Sequence, residues 1–422
     1  MSSINAGDTA WVLMSGALVL FMTPGLAIFY GGMVRAKSTL NMMMMSFAAI
    51  GTTTILWVLY AYSLAFGPDA GKGLIGNLDN IGLAKTITEV VGSPGHTIPV
   101  LAFVMFQMTF AIITVALLSG AIADRAKFGV WVAFTAIWIT LVYVPVAHWA
   151  FASQGGNGGW IVDRLGALDF AGGTVVEINS GAAALALAIV LGKREGFKRD
   201  PMRPHNMPLV LLGAGMLWFG WFGFNAGSAL AANGVASTAM INTQVATAAA
   251  VMSWLAYEKF REGKATTLGA ASGAIAGAVA ITPACGYVTP LGALVIGLVG
   301  GVVSAYGVSR KYKFNYDDSL DVVGVHGLGG LVGMIAIGLI ASKSANAAGV
   351  DGLFISGSPS QLGKQLIAAL SVAAFSFTAT YIIATVLQKT VGFRVTRDIE
   401  LEGLDTSIHA ESAYDITSFT TR

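Results

Sequence analysis

Apolar residues fall along this chain in long runs, not in the alternation of a half-buried strand or the narrow stripe of a surface helix. A helix needs about 20 apolar residues to cross a hydrocarbon core. Runs of that kind lie near residues 11–33, 42–66, 98–121, 128–149, 169–191, 207–229, 237–257, 266–283, 288–308, 320–341 and 361–388. The pattern predicts an all-α integral membrane protein of eleven spans, with a transmembrane domain over 1–388 and a tail over 389–422. The opening MSSINAGDTA has no basic segment before its apolar run, so Trp11 to Tyr30 is read as a retained span and not a cleaved signal peptide.

Two stretches break the apolar pattern in the same way. Asp169 to Gly181 reads DFAGGTVVEINSG, and Asp318 to Gly330 reads DSLDVVGVHGLGG. Laid together without gaps, they match Asp with Asp, Val176 with Val325, Glu177 with His326, and Gly181 with Gly330. The first lies on span five and the second on span ten. A repeat of five spans inverts, so the expectation is two five-helix halves of opposite orientation (spans 1–5 and 6–10) plus an eleventh helix, with a path at their interface near mid-membrane.

Composition supports the membrane reading: 55% of residues are hydrophobic and 11% charged, against about one quarter charged in a soluble domain. A net charge of +2 points to neither nucleic acid nor a strongly acidic partner. Of the 24 basic residues, 19 fall in alternate separators or the tail, and the other loops hold only Lys72, Lys85, Arg164, Lys343 and Lys364. The positive-inside rule then puts the N-terminus outside and the C-terminus in the cytoplasm. Cys285 stands alone, which excludes an intrachain disulfide and a thiolate metal cage, and it reads as a small buried residue. Met42 to Met45 reads as packing filler, not a metal site. The 53 glycines include pairs such as Gly223 and Gly227, which report close helix packing.

An ionisable group at mid-bilayer costs at least about 2.5 kcal/mol and normally faces a bundle interior with a partner. Glu177 and His326 are read as the ionisable groups deep in the spans. One reading is a facing pair that shares or relays a proton in a pore; the other is polar glue between helices, worth about 0.6 kcal/mol. Asp169 is read first as a cap for free amides, since it precedes Gly172 and Gly173 at a helix start. On span six Phe224 and Ser228 share a face, as do Phe106 and Phe110 on span three. An aromatic face with a hydroxyl acceptor suits a small cation shedding water, and plain core packing explains any single ring equally well.

In combination, TPGLAIFYGG (23–32), QMTFAIITV (107–115), PVAHW (145–149), DFAGGTVV (169–176), GWFGFNAGSA (220–229), DVVGVHGLGG (321–330) and EGLDTSIHAESAYD (402–415) resemble the ammonium transporter family (Amt/Mep/Rh) over nearly the whole chain. The resemblance implies a homotrimer in the cytoplasmic membrane, one pore per subunit, that moves ammonium or ammonia, with methylammonium as an analogue. It implies no enzyme activity and no cofactor. By position, Ser228 resembles the hydroxyl of the external ammonium site, Phe110 and Phe224 its stacked gating rings, Phe106 their support, and Trp221 a neighbour on the same segment. Asp169 resembles the acid that shapes that site, and His326 the second of the family's twin pore histidines. Two positions depart from the common bacterial pattern. Glu177 replaces the first pore histidine, as in some fungal members, and Phe151 replaces a tryptophan beside the external site. The family's usual cytoplasmic partner is a P-II signal protein.

Three other activities compete with uptake. An ammonium sensor would report occupancy to a separate protein with little flux. A neutral gas channel of the Rh type would carry ammonia without current. A membrane enzyme holding a metal between Asp169, Glu177 and His326 lacks a recognisable ligand spacing.

Overall fold

The structure, a computed structural model, describes residues 4–414. Met1 to Ser3 of the opening, and Asp415 and Arg422 of the tail, lie outside the described residues. Eleven helical segments follow the predicted spans: α1 (Ala6–Met33), α2 (Ala36–Phe66), α3 (Val100–Ile122), α4 (Phe128–Phe151), α5 (Gly173–Leu191), α6 (Met207–Gly227), α7 (Gly234–Glu262), α8 (Thr267–Ile281), α9 (Pro290–Phe314), α10 (Val323–Ile340) and α11 (Ser360–Thr390). Ten of them are long and apolar enough to cross a membrane. The exception is α8, with 15 residues, or about 22 Å at 1.5 Å per residue.

The apolar run predicts a span to residue 283, whereas α8 ends at Ile281, two residues ahead of Pro283. Proline lacks an N–H to continue the helical ladder. It is used here as a strut: its carbonyl accepts the Phe170 N–H at 3.0 Å, and its ring fills the space beside Gly173 of α5 and Gly333 of α10. The all-α expectation also missed a hairpin between α2 and α3, in which β1 (Val90–Ser93) pairs antiparallel with β2 (His96–Pro99). This hairpin ties back to the start of α1 through Asn5 N–H to Thr97 O and His96 Nδ1 to Asp8 Oδ2, both at 2.8 Å.

The packing is set by where backbones can approach. Helix α1 lies against α6, with Gly25, Gly32 and Gly213 at the crossing. Helices α5 and α10 cross where a Cβ on Gly181 would sit 2.3 Å from the Gly327 Cα. One on Gly330 would sit 3.2 Å from Ile178 Cγ1. The sequence offset that matches Gly181 to Gly330 also matches Ile178 to Gly327, so the second contact pairs the counterparts of the first. Both helices also begin in a π turn, Gly173–Ile178 and Val323–Gly327, and those turns carry Glu177 and His326. A π turn widens the helix and re-aims its side chains, and such turns concentrate at functional sites.

At the end of the bundle that holds the basic separators, a buried ionic cluster ties the helices together. Arg194 grips Asp317 through Nε and Nη2, each at 2.9 Å, and reaches Asp124, which also takes Arg35. Burial opposes the Asp317 charge, but the Arg194 hydrogen bonds and the Arg125 and Arg194 charges prevail and pull its pKa down to about 2. A depressed carboxylate contributes stability that is present above its unfolded value and lost as pH falls toward the folded one, here between about 4 and 2.

Candidate functional site

Asp169 controls how α5 begins. Its Oδ1 accepts from the N–H groups of Gly172 at 2.8 Å and Gly173 at 2.7 Å, and its Oδ2 from the Thr174 N–H at 2.7 Å and hydroxyl at 2.5 Å. Four donors converge on one carboxylate, as expected of a cap for orphan amides. Gly172 has φ 114°, a conformation that favours glycine. Asp318 repeats the arrangement at α10, accepting from the Val323 N–H at 2.7 Å with the same five-residue spacing. It takes the Val322 and Val323 amides, fewer donors than the four at Asp169.

Beyond this cap an aromatic cluster closes the interior. Phe110 and Phe224 stack with centroids 4.1 Å apart and planes inclined 25°. Phe106 meets Phe110 edge-on at 4.9 Å, Phe151 meets it edge-on at 6.4 Å, and Trp221 tilts against Phe224 at 5.7 Å. The stacked pair and Phe106 are buried, while Phe151 and Ser228 are half-buried. Ser228 ends α6 and its hydroxyl donates to the Phe224 carbonyl at 2.8 Å, so its oxygen lone pairs stay available as acceptors. All five rings and the hydroxyl therefore lie in one contiguous cluster.

Below the stacked rings a cavity of about 20 Å³ has room for one or two molecules the size of water. Its wall is largely apolar, including Met22, Leu26, Ile113 and Leu217, with Trp221 and Phe224 at one end. The Trp221 indole is fixed by donation to the Thr282 hydroxyl at 2.9 Å. Glu177 and His326 face this space from α5 and α10 and meet each other, Oε2 to Nδ1, at 2.6 Å. Glu177 Oε1 is buried without a hydrogen-bond partner among the described residues. A buried polar atom left unpaired is costly and calls for an explanation.

Residues 10–414 match the sequence profile of the Ammonium Transporter Family. An ammonium transporter of Mycobacterium tuberculosis is 55% identical over an alignment that covers 97% of this chain and 91% of that protein. The chain belongs to the ammonium transporter family. Likeness extends to an ammonium transporter of Bacillus subtilis, 49% identical over 97% of this chain and 99% of that one. Among solved structures, Mep2 of Candida albicans superposes with a TM-score of 0.85 at 36% identity, covering 94% of this chain and 87% of that one. A sensor Amt protein superposes with a TM-score of 0.86 at 30% identity, covering 95% and 98%. The transporter is thus a multi-pass membrane protein of this fold.

The structure also places groups that the sequence reading did not single out. His148, completely buried near the end of α4, bonds the Ala65 carbonyl at 2.9 Å and Asp69 Oδ1 at 3.3 Å. It is a further buried ionisable group within the transporter's spans. Its place within PVAHW was visible, but its partner lies 79 residues away. Tyr30 of the FYGG run lines the cavity and donates to the Leu117 carbonyl at 3.2 Å. Asp169 turns its oxygens to its own helix start, so it does not join Glu177 and His326 as a third ligand.

Proposed function

We propose that the chain moves ammonium across the cytoplasmic membrane by separating it into ammonia and a proton within each subunit. That it transports ammonium or ammonia across a membrane follows from its family; the residue roles are the present reading. Ser228 and the faces of Phe151 and Phe110 recruit the cation at the end of the pore remote from the basic separators. The stacked Phe110 and Phe224 leave no passage for a hydrated ion. The cation gives up its proton at this barrier and ammonia enters the small cavity below, its lone pair and weak N–H donors suiting a wall with few polar atoms. The proton is taken up on the Glu177 carboxylate and passed to the His326 ring, whose nitrogens exchange it onward as ammonia is reprotonated at the far end. The observation that carries this reading is the 2.6 Å Glu177–His326 contact placed in the cavity directly under the aromatic barrier.

The finer architecture belongs to the same reading. Eleven crossings with the N-terminus outside accord with the basic separators, provided α8 crosses with the aid of the turns that follow it. An inverted repeat of α1–α5 on α6–α10 is supported by the exchanged glycine contacts and the paired Asp caps. Glu177 makes this a member with a glutamate at the first pore-histidine position. A homotrimer and a P-II partner at the cytoplasmic mouth complete the proposal.

Phe151 supplies a measurable consequence. Tryptophan offers the strongest cation–π face, and the interaction is worth about 0.5 to 2 kcal/mol. Phe151→Trp is expected to lower the half-saturating ammonium concentration about threefold, with little change in maximal uptake. An unchanged half-saturation in an uptake titration removes Phe151 from the recruitment site.

A sensor reading has one specific support: the tail at 389–422 is docked, not loose, over its described part. Asp405 accepts from the N–H groups of Leu40 and Asn41 at 3.0 and 2.8 Å, and the Tyr414 hydroxyl meets His205 Nε2 at 2.8 Å. Any report of pore occupancy has a direct route to this surface. Uptake of labelled methylammonium by a transporter-deficient strain separates the readings. Accumulation is expected, and its absence in cells with membrane-localised protein favours the sensor.

A further inference from the structure

Ser228 opens a turn whose position helix α6 does not set by itself. Helix α6 ends at Gly227. The N–H groups of Ser228, Ala229 and Leu230 close back on the carbonyls of Asn225, Ala226 and Gly227 at 3.2, 3.3 and 2.9 Å, and Leu230 stands at φ 53°. A bulky residue in that left-handed region is strained, and the conformation lasts only where the surroundings impose it. The surroundings here include α1. Ala232 donates its N–H to Asp8 Oδ1 at 2.7 Å, across 224 residues of sequence. Asn233 then starts α7 by accepting the N–H groups of Val235 and Ala236, both at 3.0 Å.

Asp8 is braced from its other side by the hairpin, since its Oδ2 accepts from His96 Nδ1 of β2 at 2.8 Å. An ionised carboxylate only accepts, so the ring carries a proton on Nδ1. Local capping does not account for the acid, because Asn5 caps α1 by accepting the Asp8 N–H at 3.0 Å. An acid in the first turn also suits the helix dipole, but that role needs neither Ala232 nor burial to 3% exposure. Asp8 shares its helix face with Trp11 and Ser15. The Trp11 indole donates to the Ala226 carbonyl at 3.2 Å, and a Cβ on Gly227 would sit 2.5 Å from the Ser15 Cβ. This face of α1 therefore grips the chain at residues 226, 227 and 232, on both sides of Ser228.

We propose that Asp8 is a positioning residue for the external ammonium site: through the Ala232 amide it fixes the turn after α6 and so holds the Ser228 hydroxyl in place beside the aromatic rings. The inference rests on the recruitment role proposed for Ser228. Asp8 acts through the turn and not as a ligand, because it is buried and each of its oxygens is engaged by a protein donor. The stacked rings and the Glu177–His326 pair lie on α3, α5, α6 and α10, ahead of or apart from this turn, so loosening it affects capture of the cation more than its passage.

The test is a titration of labelled methylammonium uptake by the full-length protein in a transporter-deficient strain, with rates scaled to the amount in the membrane. Asp8→Ala removes a hydrogen bond to a charged group and is expected to raise the half-saturating concentration about tenfold, with maximal uptake close to wild type. Asp8→Asn keeps an acceptor for the Ala232 N–H and is expected to stay within about twofold of wild type. If Asp8 acts through Ser228, the double variant Asp8→Ala/Ser228→Ala is no worse than Ser228→Ala alone, within about twofold, whereas independent effects multiply. If Asp8→Ala does not reach the membrane, His96→Ala carries the test: its ring is exposed, and unbracing the acid is expected to raise half-saturation about threefold. Unchanged half-saturation in the variant that carries the test, a loss confined to maximal uptake, or an Asp8→Asn variant as weak as Asp8→Ala overturns the proposal. The two readings fail differently. Unchanged half-saturation in Ser228→Ala strikes the recruitment role itself, while a rise there with none in Asp8→Ala strikes only the positioning role.

Discussion

Glu177→Gln is expected to reduce ammonium-evoked current in proteoliposomes at least tenfold, with the protein still folded. The substitution keeps the shape of the side chain and an acceptor for His326, so the 2.6 Å contact with its partner can be retained. What it removes is the ability of the carboxylate to take a proton, and loss of a positioned proton-transfer group typically costs about 10²- to 10⁴-fold. The lower bound allows for a residual path through water or His326 alone. His326→Ala is expected to be equally damaging to current and worse for stability. It strips the partner from a carboxylate already buried with one free oxygen, and an uncompensated buried charge costs about 3 to 5 kcal/mol. The two effects separate in a thermal melt, which Glu177→Gln leaves near wild type. Wild-type currents in both variants would sink the relay and leave the pair as glue between α5 and α10.

Asp169→Ala is expected to lower methylammonium uptake more than tenfold and the melting temperature by several degrees. The alanine leaves three backbone amides and a hydroxyl without their acceptor at the start of α5. A hydrogen bond to a charged group contributes about 1.5 to 3 kcal/mol, and each buried donor left unsatisfied costs about 1 to 3 kcal/mol. Glu177 lies eight residues further along in the same π turn, so an unwound start displaces the carboxylate, and a misplacement of about 1 Å costs up to 10²-fold. Asp318→Ala provides the comparison, because Asp318 caps fewer donors at α10 than Asp169 does at α5, and a smaller loss of uptake is expected. Equal losses from the two variants would show that the number of capped donors is not what matters at Asp169.

The spans were legible because hydrocarbon imposes one rule on every helix, enough apolar residues to cross it. That rule weakened at α8, where Pro283 ends the helix early to brace α5 and α10. The hairpin at 90–99 was not legible, since VVGS and HTIP are too short for alternation to register. The π turns left no compositional trace. At the site, the Asp169 cap could be read from local spacing alone, and the aromatic rings from a helical face that brings Phe224 to Ser228. The partnership of Glu177 with His326 was readable only because the sequence carries it twice, in matching stretches 149 residues apart. His148 with Asp69, and Trp221 with Thr282, have no such second copy, and long-range partners of this kind emerge only when the helices are packed. The docking of Asp405 on α2 was equally hidden, because a tail acid has many helix starts within reach in sequence.

The cavity under the aromatic rings is largely apolar and brings one acid, Glu177, into contact with an imidazole, with Asp321 and Tyr30 also on its wall, so the central claim concerns the charge that accompanies each molecule carried. Current and uptake measured on the same proteoliposomes, for wild type and Glu177→His, test it most directly. The account predicts close to one charge per molecule in wild type, and the same ratio in Glu177→His, whose imidazole can still exchange a proton with His326. Uptake at the wild-type rate without current would contradict it and make the pore a conduit for neutral ammonia.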